Sequence, residues 1–265
     1  MNPDLHVRTI DAAAPWRWLR LALRDIAAAP GASLLHGVVV TLGGWIVLWL
    51  AWRVRLLLPG AFSGFLLVGP ILATGLYELS RVREAGTAPR LAHAIGAWQR
   101  GTRPLVALGL VLFAAATAWV GFSAAIFWFF VNAPLARPID LVRYAFVDQS
   151  PLLFWMWLVA GGLGAALVFA LTAVSAPLLL DRRVGARDAM LASVRAVGDN
   201  PVPMALWAAV IMLATVASMA TGMLGFVFTV PLIGHATWHA YRELIDAGAL
   251  PPRHTDNAAE AGPAR

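Results

Sequence analysis

The chain has 265 residues, of which 60% are hydrophobic and only 13% charged, and it carries a net charge of +6. A soluble domain carries roughly 25% charged residues, so this balance points to the bilayer rather than to water. With no cysteine, disulfides, thiolate metal sites, cysteine nucleophiles and lipidated cysteines are excluded. All the positive charge is arginine, and the absence of lysine is assigned no mechanism. Basic flanks at lipid headgroups account for the charge, so nucleic acid is not expected as a partner.

Taken in order, residues 1–15 read as a flexible N-terminus. No signal peptide is expected, because an amphipathic segment rather than a short basic region precedes the first long apolar run. Pro15 opens a helix over about 16–29, with Arg17, Arg20 and Arg24 on one face and Trp16, Leu19, Leu23 and Ile26 on the other. That is the pattern of a helix lying in the membrane interface. Pro30 and Gly31 break it, and a first span follows at about Ala32–Trp52, then a second at about Ala61–Leu79. A spanning helix needs roughly 20 apolar residues to cross about 30 Å of hydrocarbon.

A second interfacial helix is expected near 88–100, capped by Thr87, with Leu91, Ala94, Ile95 and Trp98 as its apolar stripe. Pro104 opens the third span, about 104–131, and a short helix on the opposite surface is expected within 132–150. Pro151 begins the fourth span, which ends before Asp181-Arg-Arg183. A third interfacial helix, near 186–198, leads to Asn200-Pro201. The apolar stretch from Val202 to Ala240 suits two spans turning at Thr221-Gly222, a single strongly tilted helix being the alternative. Residues 246–265 read as a disordered tail.

The fold class is therefore an all-α membrane protein: six transmembrane helices in three tandem hairpins, each preceded by an interfacial helix, forming one bundle over 16–245. The repeat shows in Arg24-x-Ile26-x-x-x-Pro30 and Arg195-x-Val197-x-x-x-Pro201. Sixteen of the twenty arginines fall on one side of this topology, which places both termini in the cytoplasm.

One exit motif recurs. Counted from Pro70 and Pro231, an aromatic stands seventh (Tyr77, Trp238), an ionisable residue eighth (Glu78, His239) and an arginine eleventh (Arg81, Arg242). Ala176-Pro-Leu-Leu-Leu-Asp181 is a shorter version. These residues suggest a polar vestibule on the cytoplasmic side, with His36, Tyr77, Glu78, Asp181, His235 and His239 as candidates. His235 and His239 share a helix face about 6 Å apart. A single metal ion would use them with Glu78, and a haem would need His36 opposite one of them. Read as ordinary structure, the same groups satisfy themselves with water, backbone and lipid phosphate.

No nucleophile elbow, Walker lysine, His-Glu-x-x-His or close carboxylate pair within a span is present. No catalytic residue, cofactor or metal is assigned, and the expected function is non-enzymatic. Ser175-Ala-Pro-Leu-Leu-Leu-Asp181, Asn200-Pro-Val-Pro-Met-Ala-Leu-Trp207 and Pro231-Leu-Ile-Gly-His-Ala-Thr-Trp-His-Ala-Tyr-Arg242 resemble the domain of unknown function 2189 family of bacterial inner-membrane proteins. The resemblance spans about residues 20–245 and is sharpest in the C-terminal third. It implies a bacterial inner-membrane location and no established activity. The expectation is a protein that binds or passes a small or lipid-like molecule through the vestibule. The alternatives are a structural or assembly partner of another membrane complex, or a metal- or haem-binding redox accessory.

Overall fold

The computed structural model describes residues 5–53, 69–99, 102–130 and 151–253. The helices are α1 (Ala14–Ala28), α2 (Pro30–Arg53), α3 (Gly69–Leu72), α4 (Thr74–Glu84), α5 (Leu91–Gln99) and α6 (Arg103–Phe130). They continue as α7 (Pro151–Thr172), α8 (Ser175–Asp181), α9 (Ala186–Asp199), α10 (Pro201–Ala220) and α11 (Phe226–Leu244). Two short strands, β1 (His6–Val7) and β2 (Ile245–Asp246), complete the described elements.

Among the described residues, four stretches are long and apolar enough to cross a membrane: Pro30–Leu50, Arg103–Ile126, Phe154–Asp181 and Pro201–Ala220. The link at 54–60, the first part of the expected second span (61–68) and the expected helix within 132–150 lie outside the described residues. Prolines set several boundaries. Pro30, Pro151 and Pro201 each stand first in a helix, where the missing N–H costs nothing. Pro177 instead follows a break at Ala173 and Val174, and the Val174 N–H donates to Ser193 Oγ at 3.2 Å. The amide freed by the break thus finds a partner on α9.

The stretch from Val202 to Ala240 is two helices, not one tilted helix. α10 ends at Ala220, and Gly222 and Met223 both adopt positive φ, at 64° and 72°. Ser218 on α10 and Thr229 on α11 join their hydroxyls at 2.7 Å across the turn.

The chain divides into two units, Met1–Thr41 with Pro70–Gly109 and Ala170–Arg265, and Leu42–Gly69 with Leu110–Phe169. In the first, α11 is the central element, packed by α1, α4, α8 and α10. Its close approaches use glycine: a Cβ on Gly234 would strike the Leu76 side chain of α4, and one on Gly37 of α2 would strike the Val227 backbone. In the second unit, Trp119 of α6 lies against Gly161 of α7.

The amphipathic helices stand where they were expected, but their buried faces differ. On α1 the inward face is Trp18, Ala22, Asp25 and Ile26, whereas Trp16 and Leu23 are exposed. Trp18 turns inward because its indole N–H donates to Glu243 at 2.7 Å and its ring meets Trp207 edge-on at 5.6 Å. On α5 the inward residues are Ala94 and Ala97, while Leu91 and Ile95 are exposed. That helix begins at Leu91 without a Thr87 cap; the His93 ring takes the Arg90 N–H at 3.0 Å instead.

The described residues near both ends make contacts that the sequence reading did not expect. β1 pairs antiparallel with β2, His6 opposite Asp246 and Val7 opposite Ile245. Asn200 holds the same segment through the Ile10 N–H, 2.8 Å, and the Arg8 carbonyl, 3.1 Å. Residues 6–10, within the segment expected to be flexible, are therefore held to the body. At the other end Pro252, within the segment expected to be a disordered tail, bridges Arg182.

Candidate functional site

One hydrogen-bonded group joins several polar residues of the first unit around α11, and further polar contacts stand beside it. The group centres on a carboxylate that the sequence reading passed over. Asp25 projects from the buried face of α1, where Arg83 of α4 donates to Oδ1 at 2.5 Å. Ser80 of α4 and His239 of α11 both donate to Oδ2, at 2.5 and 2.8 Å. Since the Ser80 hydroxyl hydrogen goes to Asp25, its oxygen accepts from Nδ1 of His235, 2.7 Å away. The other ring nitrogen of His235 meets the Ser33 hydroxyl of α2 at 2.9 Å. Four helices are joined through one carboxylate and one fully buried imidazole.

Burial pushes the Asp25 carboxyl up, but hydrogen bonds from His239 and Ser80 and attraction to both histidines outweigh it. The group is held below the usual carboxylate range. The Arg83 guanidinium balances its charge.

The other expected candidates make separate contacts. Glu78 is buried and takes Arg81 in a two-pronged pair at 2.8 and 2.9 Å. Asp181, at the end of α8, accepts from the Tyr241 hydroxyl at 2.7 Å and from Arg182 at 3.0 Å. Arg242 reaches Glu84 at 3.0 Å, and the Trp238 indole donates to the same carboxylate at 2.9 Å. Tyr77 is buried, as is its counterpart Trp238. His36 is buried, bonds the Ala32 carbonyl through Nδ1 at 2.7 Å, and packs its other edge on Gly75.

Of the six candidates, His235 and His239 thus converge on Asp25, Glu78 pairs with Arg81, and Asp181 pairs with Tyr241. Four of the six candidates therefore have protein side chains as partners. Among the described residues, no three His, Asp or Glu side chains are placed to hold one metal ion. The imidazole of His235 has both nitrogens engaged by serines, so neither is presented to a metal or haem in this arrangement.

Asp25, Ser33, Ser80 and Arg83 were missed. The available signal was a carboxylate within the apolar stripe of α1, seven residues after Trp18 and beside Ile26.

A helical body with four such apolar spans among its described residues is that of an integral membrane protein. Residues 57–181 match the DUF2189 family model. Its description is "Predicted integral membrane protein". The DUF2189 match takes in α3 to α8 and thus Tyr77, Glu78 and Asp181, but neither histidine of α11. Of the three segments that carried the resemblance, only Ser175–Asp181 falls inside the DUF2189 range, so the match lies earlier in the chain than the C-terminal third. No curated protein and no solved structure matches the chain.

Proposed function

We propose that this is a non-enzymatic membrane protein that takes a lipid-like molecule from the bilayer into a groove between α6 and α7. The observation that carries this reading is the groove itself, about 520 Å³, within the range of small-molecule sites. Small residues, Ala115, Ala118, Gly161, Gly162, Gly164 and Ala165, form its floor, and Trp119, Phe122 and Trp157 its walls. The Trp157 indole is satisfied by Ser123 at 3.1 Å, and among the described residues no charged side chain lines the groove. Such a surface recognises hydrocarbon. A second apolar groove of about 430 Å³ shares Phe122.

The polar groups around α11 serve in this reading as a fixed frame rather than as the wall of a vestibule. Their mutual hydrogen bonds support that role. The proposal also has the chain crossing a bacterial inner membrane six times with both termini cytoplasmic. Support comes from the arginine asymmetry and from the α10–α11 turn.

Purification in mild detergent followed by native mass spectrometry tests the reading. The wild-type protein is expected to retain a lipid-like mass, and Gly161→Leu, which fills the groove, to lose it. Equal retention in both would overturn the proposal.

The second reading, a structural partner of another membrane complex, is favoured by the hydrogen-bonded polar group around α11. Copurification of a second polypeptide at fixed stoichiometry, unaffected by Gly161→Leu, would support it.

A further inference from the structure

The two helices that run into Pro30 and Pro201 repeat one another in burial as well as in sequence. Counted back from each proline, the positions fourteen, ten, seven and six residues earlier are Trp16, Arg20, Leu23 and Arg24 on α1. On α9 they are Arg187, Leu191, Val194 and Arg195. All eight are exposed. Between them, the positions twelve and eight residues before each proline are buried in both copies: Trp18 and Ala22, Ala189 and Ser193. Each helix thus turns one face to the protein and leaves a mixed stripe of arginine and large apolar side chains outside.

The arginines of these stripes differ from those of the interior. Arg17, Arg81, Arg83, Arg182 and Arg242 each reach a carboxylate. Among the described residues, Arg24, Arg187 and Arg195 reach none, and Arg20 touches only the Trp16 carbonyl, at 3.4 Å. The helix before Pro104 does not share the pattern: Ala94 and Ala97, ten and seven residues earlier, are buried.

We infer that the exposed stripes of α1 and α9 are binding surfaces for anionic phospholipid headgroups, with Arg24 and Arg195 as their equivalent phosphate contacts. The chemistry fits in two respects. A guanidinium without an internal partner presents its donor fork to a phosphate. Apolar neighbours on the same face, Trp16 and Leu23 in one copy and Leu191 and Val194 in the other, enter the acyl boundary beside it. Both arginines stand six residues before the proline that opens a spanning helix, which sets them at the entry to the bilayer. The inference is independent of the α6–α7 groove, which has no charged lining among the described residues.

The test titrates the purified full chain in detergent with dioleoyl-phosphatidylglycerol or dioleoyl-phosphatidylcholine and counts bound lipid by native mass spectrometry. Wild type is expected to prefer phosphatidylglycerol. Each Arg→Gln change at 24 or 195 is expected to weaken that binding about fivefold, and the double variant about 30-fold. Arg24→Lys with Arg195→Lys keeps the charge and is expected to stay within about threefold of wild type. Arg90→Gln, an exposed arginine outside the register, is expected to leave binding unchanged. Equal binding of the two lipids by wild type would overturn the inference. So would wild-type phosphatidylglycerol binding in the double Gln variant, or a loss in the Lys variant as large as in the Gln variant.

Discussion

Asp25 and His239 lie 214 residues apart in the chain and 2.8 Å apart in the fold. That hydrogen bond ties the first helix to the last, and Asp25 gathers Ser80 and Arg83 of α4 at the same point. Removing the carboxylate leaves three donors without their acceptor. Asp25→Ala is expected to cost about 3 kcal/mol of stability, and Asp25→Asn less, because an amide oxygen still accepts. Thermal unfolding in detergent measures the difference; a wild-type Tm for Asp25→Ala would show that the group contributes nothing.

The same carboxylate sets an acid limit. Its folded value lies below the ordinary 3.8, so its contribution is complete above that value and is lost as pH falls through the depressed one. Stability is expected to fall below about pH 4, and the fall to flatten in Asp25→Asn. Unfolding midpoints from pH 7 down to pH 3 follow both; an unchanged acid limb in the variant would assign it to other carboxylates.

Two glycines on α2 make a matched pair. A Cβ at Gly37 would run into the Val227 backbone, whereas a Cβ at Gly31 meets nothing within 4 Å. Gly37→Ala is expected to destabilise by about 1–3 kcal/mol. Gly31→Ala, in an open helical position, is expected to be neutral or to stabilise by up to about 1 kcal/mol. Equal Tm shifts for the two would contradict the close packing of α2 on α11.

The absence of cysteine makes topology directly measurable. Single cysteines at Thr221, in the α10–α11 turn, and at Arg90, before α5, are expected to be labelled from opposite sides of the membrane. A cysteine at Gly248, after β2, is expected to label from the Arg90 side. Labelling of Thr221 from the Arg90 side would remove the hairpin crossing.

The fold was legible where proline meets an apolar run, because a missing N–H and a fixed φ act locally. Pro30, Pro151 and Pro201 each open a helix, and the exit motif placed Tyr77 and Trp238 at equivalent buried positions. Tertiary partners were not legible in the same way. Trp16 and Trp18 look alike in a helical pattern, yet only Trp18 finds Glu243 and Trp207. Glu78 and His239 share a step of the motif, but the first pairs with Arg81 three residues on and the second with Asp25 from another helix. The vestibule expectation joined them by depth alone. Glu78 is met from within its own helix and His239 from another, and the second pairing is a fact of packing rather than of periodicity.

The groove between α6 and α7 bears the functional proposal, and photocrosslinking tests it most directly. A phospholipid with a photoreactive group in its acyl chain is incorporated with the full-length protein into nanodiscs, activated, and the labelled peptides are mapped. The account predicts labelling concentrated at Ala115–Phe122 and Trp157–Ala165, and its loss from both segments in Gly161→Leu. Labelling spread evenly over the apolar faces of α2, α6, α7 and α10, unchanged by that substitution, would contradict it.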